Sequence, residues 1–381
     1  MLIITKKSLH YVIIVFISTF LGCNHQENSE GKESIVNFRI DSLIIPIDST
    51  YLNSYYVFDY HNLEDKLIGY NRQKHAIDFL SLSKKEKSMQ TILSKEGMNQ
   101  VGDIQGINYL NKDSIFVLEY GFIKLMNQKG TVKEVFKLRN IANEKLPKSL
   151  VLSVNQYFKL RYNKKRNSIL LFNTFGEEPY TDNYIVSEYH LKNRSLSPLN
   201  IKFVDSNFEN NQQFGFFAYV NGALLGDSSL IYSYLYSPKI YKYDLNNGRT
   251  NCIVERNNLL KVTKRENAIG LQFSEKHAIE NPHYFQIIED PYKNLFYALC
   301  WKSIEYQVSK IQYNSFINKK LEVSVFNKNF VQIGSFELPT NTYMPFSWFV
   351  TPRGLMMSNT HPMNKNVSES NFTLHSIAVE L

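Results

Sequence analysis

The sequence predicts an all-β protein: a six-bladed β-propeller whose last blade is closed by an N-terminal strand. Three observations lead there. Tyr and Phe are abundant, 25 and 26 of 381 residues, and aromatic side chains suit strands better than helices. From residue 35 onward, short apolar runs alternate with turn residues and fall into groups of four. The sixth group holds only three runs, while one unmatched run, 35–47, stands ahead of the first group. A ring of four-stranded blades keeps two open edges unless its ends are joined, and this N-terminal run supplies the missing strand. Two consecutive β-sandwiches are the alternative arrangement.

The runs are justified in chain order by their turns. Residues 56–60 and 66–71 flank the turn 61–65 and are followed by 77–82 and 89–93. Residues 104–110 and 114–119 flank Asn111-Lys112-Asp113, then come 123–126 and 132–138. The third group is 157–162 and 168–173 around the polar stretch 163–167, then 185–191 and 196–203. In the fourth, 216–220 and 229–236 flank a stretch holding Gly222 and Gly226, and 240–245 pairs with 252–255 across Asn246-Asn247-Gly248. The fifth is 283–289 and 295–301 around 290–294, then 321–326 and 331–338 around Asn327-Lys328-Asn329. The sixth is 346–350 and 354–358 around Thr351-Pro352-Arg353, then 372–379. Val36, Phe38 and Ile40 give the leading run its period of two. A helix is expected only within 257–278, where Leu259, Leu260, Val262, Ile269 and Leu271 make a ragged helical pattern.

The N-terminus reads as an export signal. Lys6 and Lys7 precede an apolar run, 9–21, which ends in Phe20-Leu21-Gly22-Cys23. That run is too short and wrongly flanked for a durable membrane span. A cysteine after a small residue resembles a bacterial lipobox, so Cys23 is expected to carry lipid. The domain organisation that follows is a signal peptide (1–22), a polar tether (23–34) and the propeller (35–381). The expected location is the bacterial cell envelope, with the outer membrane as the anchoring surface. The competing reading is an N-terminal core helix with an incidental cysteine.

Without Lys6 and Lys7 the chain carries 41 basic and 35 acidic residues, a mild excess with no clustered stripe. This excludes a nucleic-acid interface, which needs basic side chains gathered on one face with interleaved aromatics. Beyond Cys23, only Cys252 and Cys300 remain, either bridged or as two separate thiols, and neither spacing suits a zinc site. No nucleophile elbow, zinc-helix motif or phosphate loop occurs. His277 and His283 are too few for a metal set, and Glu177, Glu178 and Asp182 read as a solvated loop. No cofactor or metal is expected.

The loops are asymmetric. Within the groups, the first-to-second and third-to-fourth turns are short. The long segments 94–103, 139–155, 175–183, 205–215, 256–282, 302–320 and 359–371 fall at second-to-third positions or between groups, which share one face of a propeller. Long ordered loops on a rigid scaffold are where binding sites gather. Asn99, Tyr180, Tyr306, Tyr343 and His361 lie in these loops and are the candidate ligand contacts, able to stack or hydrogen-bond. The alternative is that the tyrosines pack their own loops. The function expected is a membrane-anchored binding module for a glycan, peptide or protein partner. A hydrolase or lyase using loop carboxylates is the second reading, and no constellation of catalytic residues accompanies it.

The stretch Glu96-Gly97-Met98-Asn99-Gln100-Val101-Gly102, running into 104–117, is similar to a segment of a lipoprotein family of gut-type bacteria, domain of unknown function 4221. The run from Tyr343-Met344-Pro345-Phe346 to Pro352-Arg353-Gly354-Leu355 resembles that family's ending. Met98 and Gln100 replace the Pro and Gly usual in the first motif. The resemblance implies a propeller-like fold and an exported lipoprotein, and implies no activity.

Overall fold

The computed structural model describes residues 36–83, 87–138, 151–174, 184–202, 220–255 and 271–380. The expected signal peptide, the tether with Cys23, and Tyr180 lie outside the described residues. The chain from Ile35 to Leu381 forms one compact unit. It is a six-bladed β-propeller of six small antiparallel sheets in a ring, with one short α-helix among the described residues. No helix among them is long and apolar enough to cross a membrane.

The first strand, β1 (Asn37–Pro46), belongs to the last blade. The first blade is β2 (Phe58–His61), β3 (Lys66–Asn71), β4 (Ala76–Ser81) and β5 (Met89–Ile92). The second is β6 (Ile104–Asn111), β7 (Ser114–Glu119), β8 (Phe122–Met126) and β9 (Val132–Lys137). In the third, β10 (Val151–Ser153) and β11 (Tyr162–Asn163) both pair with β12 (Ser168–Thr174), followed by β13 (Val186–His190) and β14 (Ser195–Pro198). The fourth is β15 (Val220–Leu225), β16 (Ser229–Tyr234), β17 (Lys239–Asp244) and β18 (Thr250–Glu255). Helix α1 (Leu271–Glu280) leads to the fifth, β19 (His283–Asp290), β20 (Leu295–Trp301), β21 (Leu321–Asn327) and β22 (Gln332–Glu337). The sixth is β23 (Trp348–Thr351), β24 (Gly354–Ser358), β25 (Asn371–Glu380) and β1.

The ring closes as the sequence predicts. β1 pairs antiparallel with β25 in an unbroken register from Asn37↔Glu380 to Pro46↔Asn371. Phe38 stacks on Phe336 of the fifth blade, ring centroids 4.4 Å apart, and Val36 and Ile45 are buried. First strands of neighbouring blades adjoin, β2 with β6, β15 with β19, and β19 with β23, so they surround the central channel. Second strands are sandwiched between blades: every residue of β3, β16 and β20 is buried. Apolar clusters fill the spaces between blades, for example Ile68, Phe79, Ile107 and Val117 between the first and second. Arg353 on the short turn of the sixth blade reaches Asp65 on that of the first, 2.5 Å, across the closing seam.

Two expectations shift in position. Gly222 stands inside β15 and not in a turn. A Cβ there would lie 2.5 Å from the Phe158 ring, so the glycine is required by close approach and not by chain reversal. The expected strand 157–162 is replaced by the two short strands β10 and β11. Between them Asn155 turns the chain: its side-chain oxygen accepts from the Tyr157 and Phe158 amides, 2.8 Å each. Phe158 then bridges to Gly222 of the next blade. The diverted segment carries Lys159 and Arg161.

Cys252 is exposed on β18 and Cys300 buried on β20, as separate thiols.

Candidate functional site

First strands run from the long-loop face to the short-turn face, so the residues at their starts surround the channel mouth on the long-loop side. Those residues are aromatic. Tyr56, just before β2, is 67% exposed and lies 6.1 Å from Phe346, just before β23. Phe346 also meets Tyr157 (6.1 Å) and Trp301 (6.0 Å). Tyr157 packs on Phe285 of β19 at 5.0 Å, and Phe285 on Trp301 at 5.3 Å. The result is a collar of rings drawn from blades one, three, five and six. Phe285 and Trp301 are buried and support the collar, while Tyr56 is exposed and Tyr157 and Phe346 half-buried, so these three can offer apolar faces with few rotors to freeze on binding.

Below the collar the channel is cationic. Lys159 reaches from blade three to the far side of the ring. Its Nζ donates to the Trp348 carbonyl, 3.3 Å, and stands 3.6 Å over the Phe58 ring. It forms no ion pair with the described residues. The side chain is half-buried, and its charge is poorly solvated. That burial, then the neighbouring Arg161 charge, push the ammonium down to about 7, against the pull of Asp59.

One step deeper, Arg161 Nη1 donates to Asp59 Oδ1 at 2.7 Å. The carboxylate is 3% exposed and the guanidinium 36%. Asp59 Oδ2 accepts from Asn108 Nδ2 (3.0 Å) and the Tyr109 amide (2.8 Å) on β6. Asn108 Oδ1 in turn accepts from the Tyr162 amide at 2.8 Å. This chain of bonds knits the first strands of blades one, two and three. Both Asp59 oxygens are therefore engaged, which suits a structural anchor better than an acid–base group. Asp59 thus pairs with Arg161, and among the described residues Lys159 pairs with no carboxylate.

A second buried amine lies on the same face. Lys319 Nζ donates to the carbonyls of Ala278 (2.8 Å) and Asn281 (2.5 Å) at the end of α1, and meets His283 Nδ1 at 3.1 Å. Burial lowers Lys319 to about 7, and burial and the Lys319 charge keep His283 well below the usual imidazole range. His283 is thus neutral, with Nδ1 as acceptor.

Of the residues singled out from sequence, the four described ones do not converge. Asn99 is exposed, and its Oδ1 accepts from the Val132 amide at the outer edge of blade two, 2.9 Å. Tyr306 is half-buried against Tyr313 at 5.2 Å in the loop after β20. Tyr343 is 3% exposed, its hydroxyl 2.6 Å from His375 Nδ1 on β25. His361 is buried; its Nε2 donates to the Ile317 carbonyl (2.9 Å), and its Nδ1 accepts from the Met363 amide (3.1 Å). It pins one long loop to another. Sequence reasoning missed Lys159, Arg161, Tyr56, Tyr157 and Phe346. The alternation Phe158-Lys159-Leu160-Arg161-Tyr162 was the available signal: two cations on one side of an expected first strand, the strand position that borders a propeller's channel.

Among the described residues no three His, Cys, Asp or Glu side chains gather as a metal site.

The chain superposes on a solved DUF4221 family member from Bacteroides vulgatus with TM-score 0.75, at 16% identity, over 92% of this chain and 99% of that one. It has the DUF4221 fold. A luciferin-regenerating enzyme gives TM-score 0.48 at 11% identity, covering 89% of this chain and 97% of that one. A calcium-binding protein, regucalcin from Agrobacterium tumefaciens, gives 0.46 at 9%, covering 86% and 93%. No family model and no curated protein matches the chain.

Proposed function

We propose that this DUF4221-fold protein is an envelope lipoprotein, held by lipid on Cys23, whose propeller binds a glycan at the long-loop mouth of its channel. One observation carries the reading: the collar of Tyr56, Tyr157 and Phe346 above a floor of hydrogen-bond donors. Sugar rings present apolar faces edged by hydroxyls, and aromatic platforms beside polar groups match that pattern. Export fits the signal-like segment 1–22 and the cysteine that ends it.

The test is a glycan and peptide array with the compact unit 35–381. Tyr56→Ala and Phe346→Ala each remove a collar face and are expected to weaken a true ligand by about 1–3 kcal/mol. Array hits confined to peptides, or affinity unmoved by both substitutions, would overturn the glycan reading. Anchoring is tested separately. Cys23→Ser is expected to move the full-length protein out of the detergent phase, and a variant that stays there defeats the lipid assignment.

A further inference from the structure

We propose that Lys159 and Arg161 form a carboxylate subsite at the base of the channel mouth, so that the sugar taken by the aromatic collar is a uronic acid. The inference rests on the glycan reading above and narrows it.

Lys159 and Arg161 lie two residues apart on the diverted segment of blade three. Asp59 pairs with Arg161 alone of the two, and its oxygens also accept from Asn108 and the Tyr109 amide. Lys159 donates a single hydrogen bond, to the Trp348 carbonyl, and an ammonium has three donors. Arg161 spends Nη1 on Asp59 and on the Leu160 carbonyl. A third of its side chain stays exposed to the channel.

Among the described residues no carboxylate pairs with Lys159, and a surrounded cation without a counter-ion is costly. A structural lysine would have been paired, as Lys319 is satisfied by three acceptors, or replaced by an apolar residue. Here the backbone is instead diverted by Asn155, and space is cleared at Gly222, so that this segment enters the channel. A bound monoanion beside Lys159 would favour the protonated amine that burial disfavours. A carboxylate accepts from an ammonium and a guanidinium together. The Phe58 ring stays packed under the ammonium, and the collar above supplies apolar surface beside that charge, which a sugar ring carrying a carboxylate fills.

The experiment is calorimetric titration of the 35–381 unit with trigalacturonate, its methyl ester, a neutral galactose trisaccharide, a sulfated galactose trisaccharide, and a peptide with a free C-terminal carboxylate. Native protein is expected to prefer the acid to its ester by about 10- to 100-fold, the weight of one charge-assisted hydrogen bond. Lys159→Met is expected to abolish that preference, bringing acid and ester to the same affinity, and Lys159→Arg to keep most of it. Equal binding of acid and ester by native protein overturns the proposal whatever the variants do. So does an acid preference that survives Lys159→Met, or a preference for the sulfated sugar or the peptide. If neutral sugars bind without an acid preference, the subsite falls and the glycan reading stands. If no saccharide binds, both fall.

Discussion

Deleting β1 is the sharpest test of the closed ring. A chain starting at Asp48 lacks the strand that pairs with β25 from Asn37↔Glu380 to Pro46↔Asn371. An antiparallel ladder of that length carries about ten backbone hydrogen bonds, each worth about 1 kcal/mol net. The deletion also uncovers partners of the buried Val36 and Ile45 and ends the Phe38–Phe336 stack, at about 1.5–3 kcal/mol for each fully buried side chain. The loss of more than about 10 kcal/mol is comparable with the whole net stability of a domain, about 5–15 kcal/mol. The 35–381 unit should unfold in urea as one cooperative transition. The 48–381 chain should show no such transition at any temperature, and a synthetic 35–47 peptide should restore part of it by refilling the open edge. A 48–381 chain with the native midpoint and slope would refute the reasoning, because closure would then contribute nothing.

Gly222→Ala should lower stability by about 1–3 kcal/mol in urea melts, because the new Cβ meets the Phe158 ring at 2.5 Å and a packed ring has little room to yield. Lys319→Met should cost about 3–5 kcal/mol by the same assay, since it strands the Ala278 and Asn281 carbonyls and His283 Nδ1. Lys159 and Lys319 are both lowered from 10.5 to about 7 in the folded state. Between these values the unfolded chain binds more protons than the folded one, so native stability should rise as pH goes from about 7 to 9.5. The rise should shrink in Lys159→Met, and an unchanged slope would place that lysine in ordinary solvent. Tyr343→Phe should lower stability by about 1 kcal/mol through loss of the hydroxyl bond to His375, with ligand affinity unaltered. An affinity loss larger than the stability loss would return Tyr343 to the binding face.

Most of the fold was legible because strands announce themselves locally. Val36, Phe38 and Ile40 alternate, Asn111-Lys112-Asp113 and Asn246-Asn247-Gly248 reverse the chain, and a three-run last group demands a partner. The misread places are those decided at a distance. Gly222 looks like a turn residue until Phe158, 64 positions earlier, is packed against it. The segment 157–162 has the alternation of a strand, but Asn155 folds its side chain back on the backbone and diverts it. The same limit applies to the site. Tyr343 and His361 are amphipathic loop residues, and their sequence does not say whether the polar end faces solvent or a neighbouring loop. His375 and the Ile317 carbonyl decide that. Lys159 was not singled out from the sequence, because only the closed ring places it over Phe58.

The direction of β1 has a mechanical consequence. Asn37 lies opposite Glu380, beside the turn where Lys293 Nζ holds the Val379 carbonyl, 2.9 Å. The chain therefore enters the domain on the short-turn face. A pull on the chain ahead of Asn37 runs along β1, lengthwise to its ladder with β25, so the pairs share the force instead of parting one by one. The strand that seals the ring therefore resists being drawn out by its own end, and a pull strong enough to slide it out would open the ring.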